Sequence, residues 1–141
     1  MMPEPEFDFL ILADRAEAIN GKLYMMGGAW DAIGLRALGD VAAFTAAVGI
    51  VVPWHATNME HHVTLRLEDA DVKTLTSTCV GFATGRPATL PDGARQRVTF
   101  ALPLNIVFPT PGTYVVVCTV GVQEKRVAFQ VHIHPPAPAP R

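Results

Sequence analysis

Arg97-Val98-Thr99-Phe100-Ala101-Leu102-Pro103-Leu104-Asn105-Ile106 carries a large apolar residue at every even position. Successive residues of a strand point to opposite faces, so a period of two gives one face to a core and leaves the other wetter. Working outward, His62-Val63-Thr64-Leu65-Arg66-Leu67-Glu68 alternates in the same way. Arg126-Val127-Ala128-Phe129-Gln130-Val131-His132-Ile133 places its apolar residues at the odd positions. No window of helical length shows a stripe at a spacing of 3.6. The fold is expected to be all-β.

Further segments complete the set. Residues 7–13 read as a strand, and residues 16–19 and 22–25 as a hairpin around Asn20-Gly21, the pair that supplies both positive-φ positions of a type I′ turn. Residues 43–52 and 113–122 are apolar on both faces, as central strands are, while residues 73–82 are Thr-rich and weaker. Turn clusters separate them: Gly27-Gly28, residues 34–40, 53–60, 85–93 and 109–112, and Gly121. Eight or nine short strands at this spacing predict an immunoglobulin-like antiparallel β-sandwich. Pro103 falls on the polar face of its strand and predicts an edge position or a bulge. Tyr114, opening a strand after Pro111-Gly112-Thr113, is placed to turn its hydroxyl back to the backbone while its ring packs inward. Residues 1–134 read as one domain, and the proline-dense residues 135–141 as an extended, solvated tail.

Composition narrows the function. Of 141 residues, 17% are charged, against about 25% in ordinary domains. That lean surface points to cover by a protein partner, a second copy included, and a homo-oligomer is expected. The 11 basic and 13 acidic residues leave a net charge of −2 and form no basic stripe, so neither nucleic acid nor an anionic membrane is an expected partner. No apolar run approaches the ~20 residues of a membrane span. The acidic start and the apolar residues 7–13, broken by Asp8, do not make a secretory signal, and the expected location is cytoplasmic. Cys79 and Cys118 lie inside strand segments and read as buried thiols of a reducing compartment.

Ala13-Asp14-Arg15-Ala16-Glu17, running through Asn20-Gly21-Lys22-Leu23-Tyr24 to Gly27-Gly28-Ala29-Trp30-Asp31, resembles the opening of an uncharacterised family of short bacterial proteins. Val52-Pro53-Trp54, residues 63–69, Gly85-Arg86-Pro87 and Pro111-Gly112-Thr113-Tyr114 are also similar to it. The resemblance implies an immunoglobulin-like sandwich and a bacterial source, and it carries no activity. Where such proteins have Asp-Gly after the Leu-Glu-Asp strand, this chain has Asp71-Val72.

His132-x-His134 puts two imidazoles on one strand face, a spacing found at metal sites, but prolines follow and supply no third ligand. His55, His61 and His62 sit in or after the loop following Trp54, and adjacent His61 and His62 cannot face the same way. Asp69 and Asp71 flank a turn without the rest of a calcium loop. Ser77 has no Gly-x-Ser-x-Gly elbow, and no phosphate loop or dinucleotide fingerprint occurs. No enzyme activity and no cofactor are expected. Trp30 and Trp54, in Gly- and Pro-flanked connections, read as caps on the sandwich ends. In immunoglobulin order, residues 53–61, 84–95 and 121–124 meet at one end. They collect Trp54, His55, Asn58, His61, Arg86, Asp92 and Arg95 as candidate partner-binding residues. The expected function is a non-catalytic binding or assembly module, docking to itself or to another protein. The alternative is a small-ligand or metal-binding protein using its surface histidines.

Overall fold

The alternating segments become strands with their apolar residues turned inward. The computed structural model describes residues 4–134. The strands are β1 (Glu6–Ile19), β2 (Lys22–Gly28), β3 (Ala32–Leu35), β4 (Val41–Val52), β5 (His61–Glu68), β6 (Thr74–Phe82), β7 (Gln96–Val107), β8 (Gly112–Val120) and β9 (Gln123–Ile133). One 3-10 turn, Trp54–Ala56, is the only helical element among the described residues. Sheet order is β2-β1-β4-β7 in one layer and β3-β9-β8-β5-β6 in the other, a β-sandwich. The expected tail at residues 135–141 lies outside the described residues.

The core forms between the layers. Leu10, Leu12, Phe44, Ala46, Val48, Ile50, Leu102 and Leu104 of the four-stranded sheet meet Val63, Leu65, Tyr114, Val116, Cys118, Phe129 and Val131 of the five-stranded sheet. Trp30 closes one side, edge-on to Phe44 at 5.5 Å and to Phe129 at 6.0 Å between ring centroids. β4 and β8 are central strands, as their two-sided apolar sequences predict, and β7, with Pro103, is an edge strand. The Tyr114 hydroxyl donates to the Thr110 carbonyl at 2.6 Å, and its buried ring lies 4.6 Å from that of Phe108. Asn20 and Gly21 take φ of 51° and 74°, the left-handed pair that a type I′ hairpin needs.

Several sequence expectations are corrected. β1 runs unbroken through residues 13–16 because β2 continues to pair with it beyond β4. Gly27-Gly28 ends β2 rather than forming a turn. Gly34 and Leu35, expected in a loop, belong to β3, which pairs parallel with β9 from Ala32↔Gln130 to Leu35↔Ile133. Four residues are too few to show alternation, and the bare edge of β9 creates that strand. Cys79, expected buried, is exposed. It sits on edge strand β6 and points outward, while Cys118 points into the core. Both flank β5, opposite Thr64 and Leu65 respectively, but on opposite faces of the sheet, so they cannot bridge.

Candidate functional site

The connections after β4, β6 and β8 do meet at one end. Asn58 N donates to Thr84 O at 2.7 Å. The Arg86 guanidinium lies 4.1 Å from the Trp54 ring centroid. It also donates through Nε to Thr57 Oγ1 at 2.6 Å and through Nη2 to Trp54 O at 2.8 Å. Three anchors on one side chain make Arg86 a brace between two loops, a task suited to its planar fork. His61 Nε2 lies 2.7 Å from Ala56 O, so that nitrogen carries the proton and donates, while the ring packs on Phe82. A side chain at Gly121 would meet Glu4 Oε2 at 3.3 Å. Arg95 lines a shallow concavity with Glu4, Glu6, Val51 and Pro53. The structure therefore brings Trp54, Asn58, His61 and Arg86 together. His55, Asp92 and Arg95 are exposed at the same end and take no part in the brace.

A second surface was not singled out in the sequence. β1 pairs with β4 only as far as Ala13↔Thr45, but with β2 as far as Ile19↔Lys22. Residues 15–26 thus form a two-stranded arm beyond the sheet. Strands at opposite edges of a flat four-stranded sheet lie about 14 Å apart. Here β2 and β7 have Cα atoms within 8 Å of each other, so the ribbon leaves the plane of a flat sheet. Ala16 and Leu23 are half-buried. Met25 Sδ lies 3.5 Å from where a Cβ on Gly28 would sit, with Ile11 Cγ2 3.8 Å away on the same side. The cross-strand pairs Arg15↔Met26 and Glu17↔Tyr24 share one face of the ribbon with Ala13↔Gly28, and Ala16↔Met25 and Ala18↔Leu23 lie on the other. On this arm Ile19 is 47%, Tyr24 56%, Met25 40% and Met26 72% exposed. Arg15, Ala16, Glu17, Tyr24, Met25 and Met26 line a concavity of about 410 Å³. The missed signal was Tyr24-Met25-Met26, three large apolar residues in succession on a hairpin strand, which puts apolar groups on both faces of a ribbon with one neighbour.

The model of a family of unknown function, DUF6941, matches residues 8–132. The chain belongs to that family. No curated protein matches it. The matched span runs from β1 to β9, so the DUF6941 region is the sandwich itself.

The two outer faces of this DUF6941 sandwich differ. On the five-stranded sheet, Glu68 accepts from Arg66 at 2.7 Å and from Arg126 at 3.0 Å, and Glu124 pairs with the same arginines at 3.2 and 3.5 Å. Arg66 and Arg126 stand on either side of Val117 in register and cover it, which is why this outward-facing valine is buried. The Arg66 hydrogen bond, helped by charge from both arginines, holds the Glu68 carboxyl below the ordinary carboxylate range. The bond to Glu68 likewise raises the Arg66 guanidinium. Among the described residues the four-stranded sheet has no such network at its outer centre, and its Arg97–Asp8 ion pair at 2.9 Å lies near one end. Ala47 pairs there with Ile11 and Ala101, and Gly49 with Phe9 and Thr99. A methyl on Gly49 would collide with the Phe9 ring lying over it.

The histidines are scattered. His132 and His134 have ring centroids 5.1 Å apart, and His62 Nδ1 lies 3.9 Å from Cys79 Sγ. Among the described residues, no three His, Cys, Asp or Glu side chains converge where a metal could sit. Asp69 Oδ1 accepts from the backbone N–H groups of Asp71 and Lys73, both at 2.9 Å, which is the turn role expected of it. No helix among the described residues is long and apolar enough to cross a membrane.

Proposed function

We propose that this chain is a non-catalytic β-sandwich module that works by docking onto protein, a second copy of itself included, with the β1–β2 arm as its contact. One observation carries the reading: Ile19, Tyr24, Met25 and Met26 stand exposed together on a ribbon of only two strands. A two-stranded hairpin is marginally stable in water, and clustered exposed apolar side chains mark contact sites. Tyr, Met and Arg are the residue types that interfaces favour. The loop end supports a lesser role. Arg86, Trp54 and His61 are engaged with their own backbone, leaving His55, Asn58, Asp92 and Arg95 as a polar surface.

The module needs no cofactor and no nucleic acid. We read its topology as immunoglobulin-like, because β3 crosses to the second sheet to pair with β9 and Tyr114 bonds back across its corner. A bacterial, cytoplasmic setting goes with that reading. The alternative, a metal or small ligand held by surface histidines, has one observation in its favour, the adjacency of His132 and His134.

The test is site-specific photo-cross-linking in the source cell, with the photoreactive residue at Met26 or, as a control, at exposed Lys125 on the other sheet. The proposal expects a discrete protein adduct from position 26 and none from position 125. No adduct at position 26, or equal adducts at both, would refute it.

A further inference from the structure

We infer that the partner of the arm is a second copy of this chain, apposed face to face across a two-fold axis that passes between Arg15 and Glu17. The inference rests on the docking reading above and names its partner. Arg15 and Glu17 project from the same face of β1, two residues apart, with Met26 and Tyr24 beside them on β2. A two-fold axis midway between these pairs exchanges them. It sets Arg15 against the partner's Glu17, Glu17 against the partner's Arg15, and Met26 against the partner's Tyr24. The same rotation carries Ile19 to the level of the partner's Ala13, and Lys22 to that of the partner's Gly28, which are uncharged. No like charges meet. A patch with one positive and one negative group around an apolar centre is therefore complementary to itself, which is what an isologous contact requires.

The size is also adequate. The exposed parts of Ile19, Tyr24 and Met26, taken over two copies with the exposed side chains of Arg15 and Glu17, come to on the order of 1,000 Å², the lower bound for a specific interface. Such a contact gives a weak, concentration-dependent dimer. A two-fold contact occupies the same patch on both copies, so the assembly closes at the dimer.

Sedimentation equilibrium over a wide concentration range tests this with the full chain. Wild type is expected to dimerise reversibly. Arg15→Glu sets Glu against the partner's Glu17, and Glu17→Arg sets Arg against the partner's Arg15. Either is expected to weaken the dimer roughly 10- to 100-fold, since two attractions become repulsions. Mixed one to one, the two variants restore every opposite-charge pair, and a heterodimer of near wild-type affinity is expected. Circular dichroism checks that each variant keeps its strands. A wild-type chain that stays monomeric at the highest concentration overturns the inference. So does a dimer that both single variants leave untouched, or a mixture that fails to associate. The docking reading fails separately, when position 26 cross-links to nothing in the cell. A monomer that cross-links there to a different protein keeps that reading and removes this partner.

Discussion

Tyr114 allows the hydroxyl and the ring of one core residue to be weighed separately. Its Oη donates to the Thr110 carbonyl at 2.6 Å, while its ring lies 4.6 Å from Phe108 and 6.2 Å from Phe129. Tyr114→Phe deletes the hydrogen bond and leaves the aromatic packing. Thr110 is exposed, so water can take over its carbonyl, and the loss is that of an ordinary neutral hydrogen bond, about 1 kcal/mol, rather than the larger penalty of a buried orphan. For a chain of this size that corresponds to a fall in Tm of about 3 °C. Tyr114→Ala also empties a buried aromatic site and is expected to cost about 3–5 kcal/mol. Urea unfolding of wild type and both variants, read by tryptophan fluorescence, measures the two steps on one scale. Equal losses for Phe and Ala would refute the division, because the hydroxyl would then account for the whole effect. No loss for Phe would mean that the corner bond contributes nothing net in solution.

Two further predictions concern ionisable groups. The folded Glu68 carboxyl lies below the ordinary range, so the stability it contributes is complete at pH 7 and is lost as pH falls through that lowered value. Glu68→Gln is therefore expected to destabilise at neutral pH, with the gap to wild type closing in acid. Urea midpoints for the pair at several pH values check this, and a gap that widens in acid would contradict it. For the thiols, a colorimetric reagent is expected to modify one cysteine, Cys79, in the native protein. Cys118 should react only on unfolding, since burial both hides it and pushes its pKa up to about 11. Two rapidly reacting thiols in native protein would show that the β8 core is open.

Much of the architecture was legible because period-two patterning acts through neighbours in the chain. Val98, Phe100, Leu102, Leu104 and Ile106 report one buried face whatever lies opposite them. Pro103 marked an edge strand because the residue lacks an N–H, and Asn20-Gly21 marked a hairpin because of its backbone preferences. The candidate site was only partly readable. Trp54, Asn58, His61 and Arg86 were placed together by topology, but whether Arg86 would reach outward or brace its own loops depended on distances no spacing encodes. Asn20-Gly21 marks the arm as a hairpin, but its exposure depends on where β1 parts from β4.

By itself, the sequence determined the strand periodicity, the central positions of β4 and β8, the turn at Asn20-Gly21 and the inward turn of Tyr114, because each depends on local backbone preference or on the alternation of side chains. Tertiary structure alone decided that Ala32–Leu35 would become a strand, that Cys79 would face water while Cys118 would not, and that β1 would leave β4 at Ala13 and carry Tyr24 and Met26 into solvent. Exposure belongs to a residue together with whatever packs over it, and the groups that do or do not cover these positions come from segments distant in the chain.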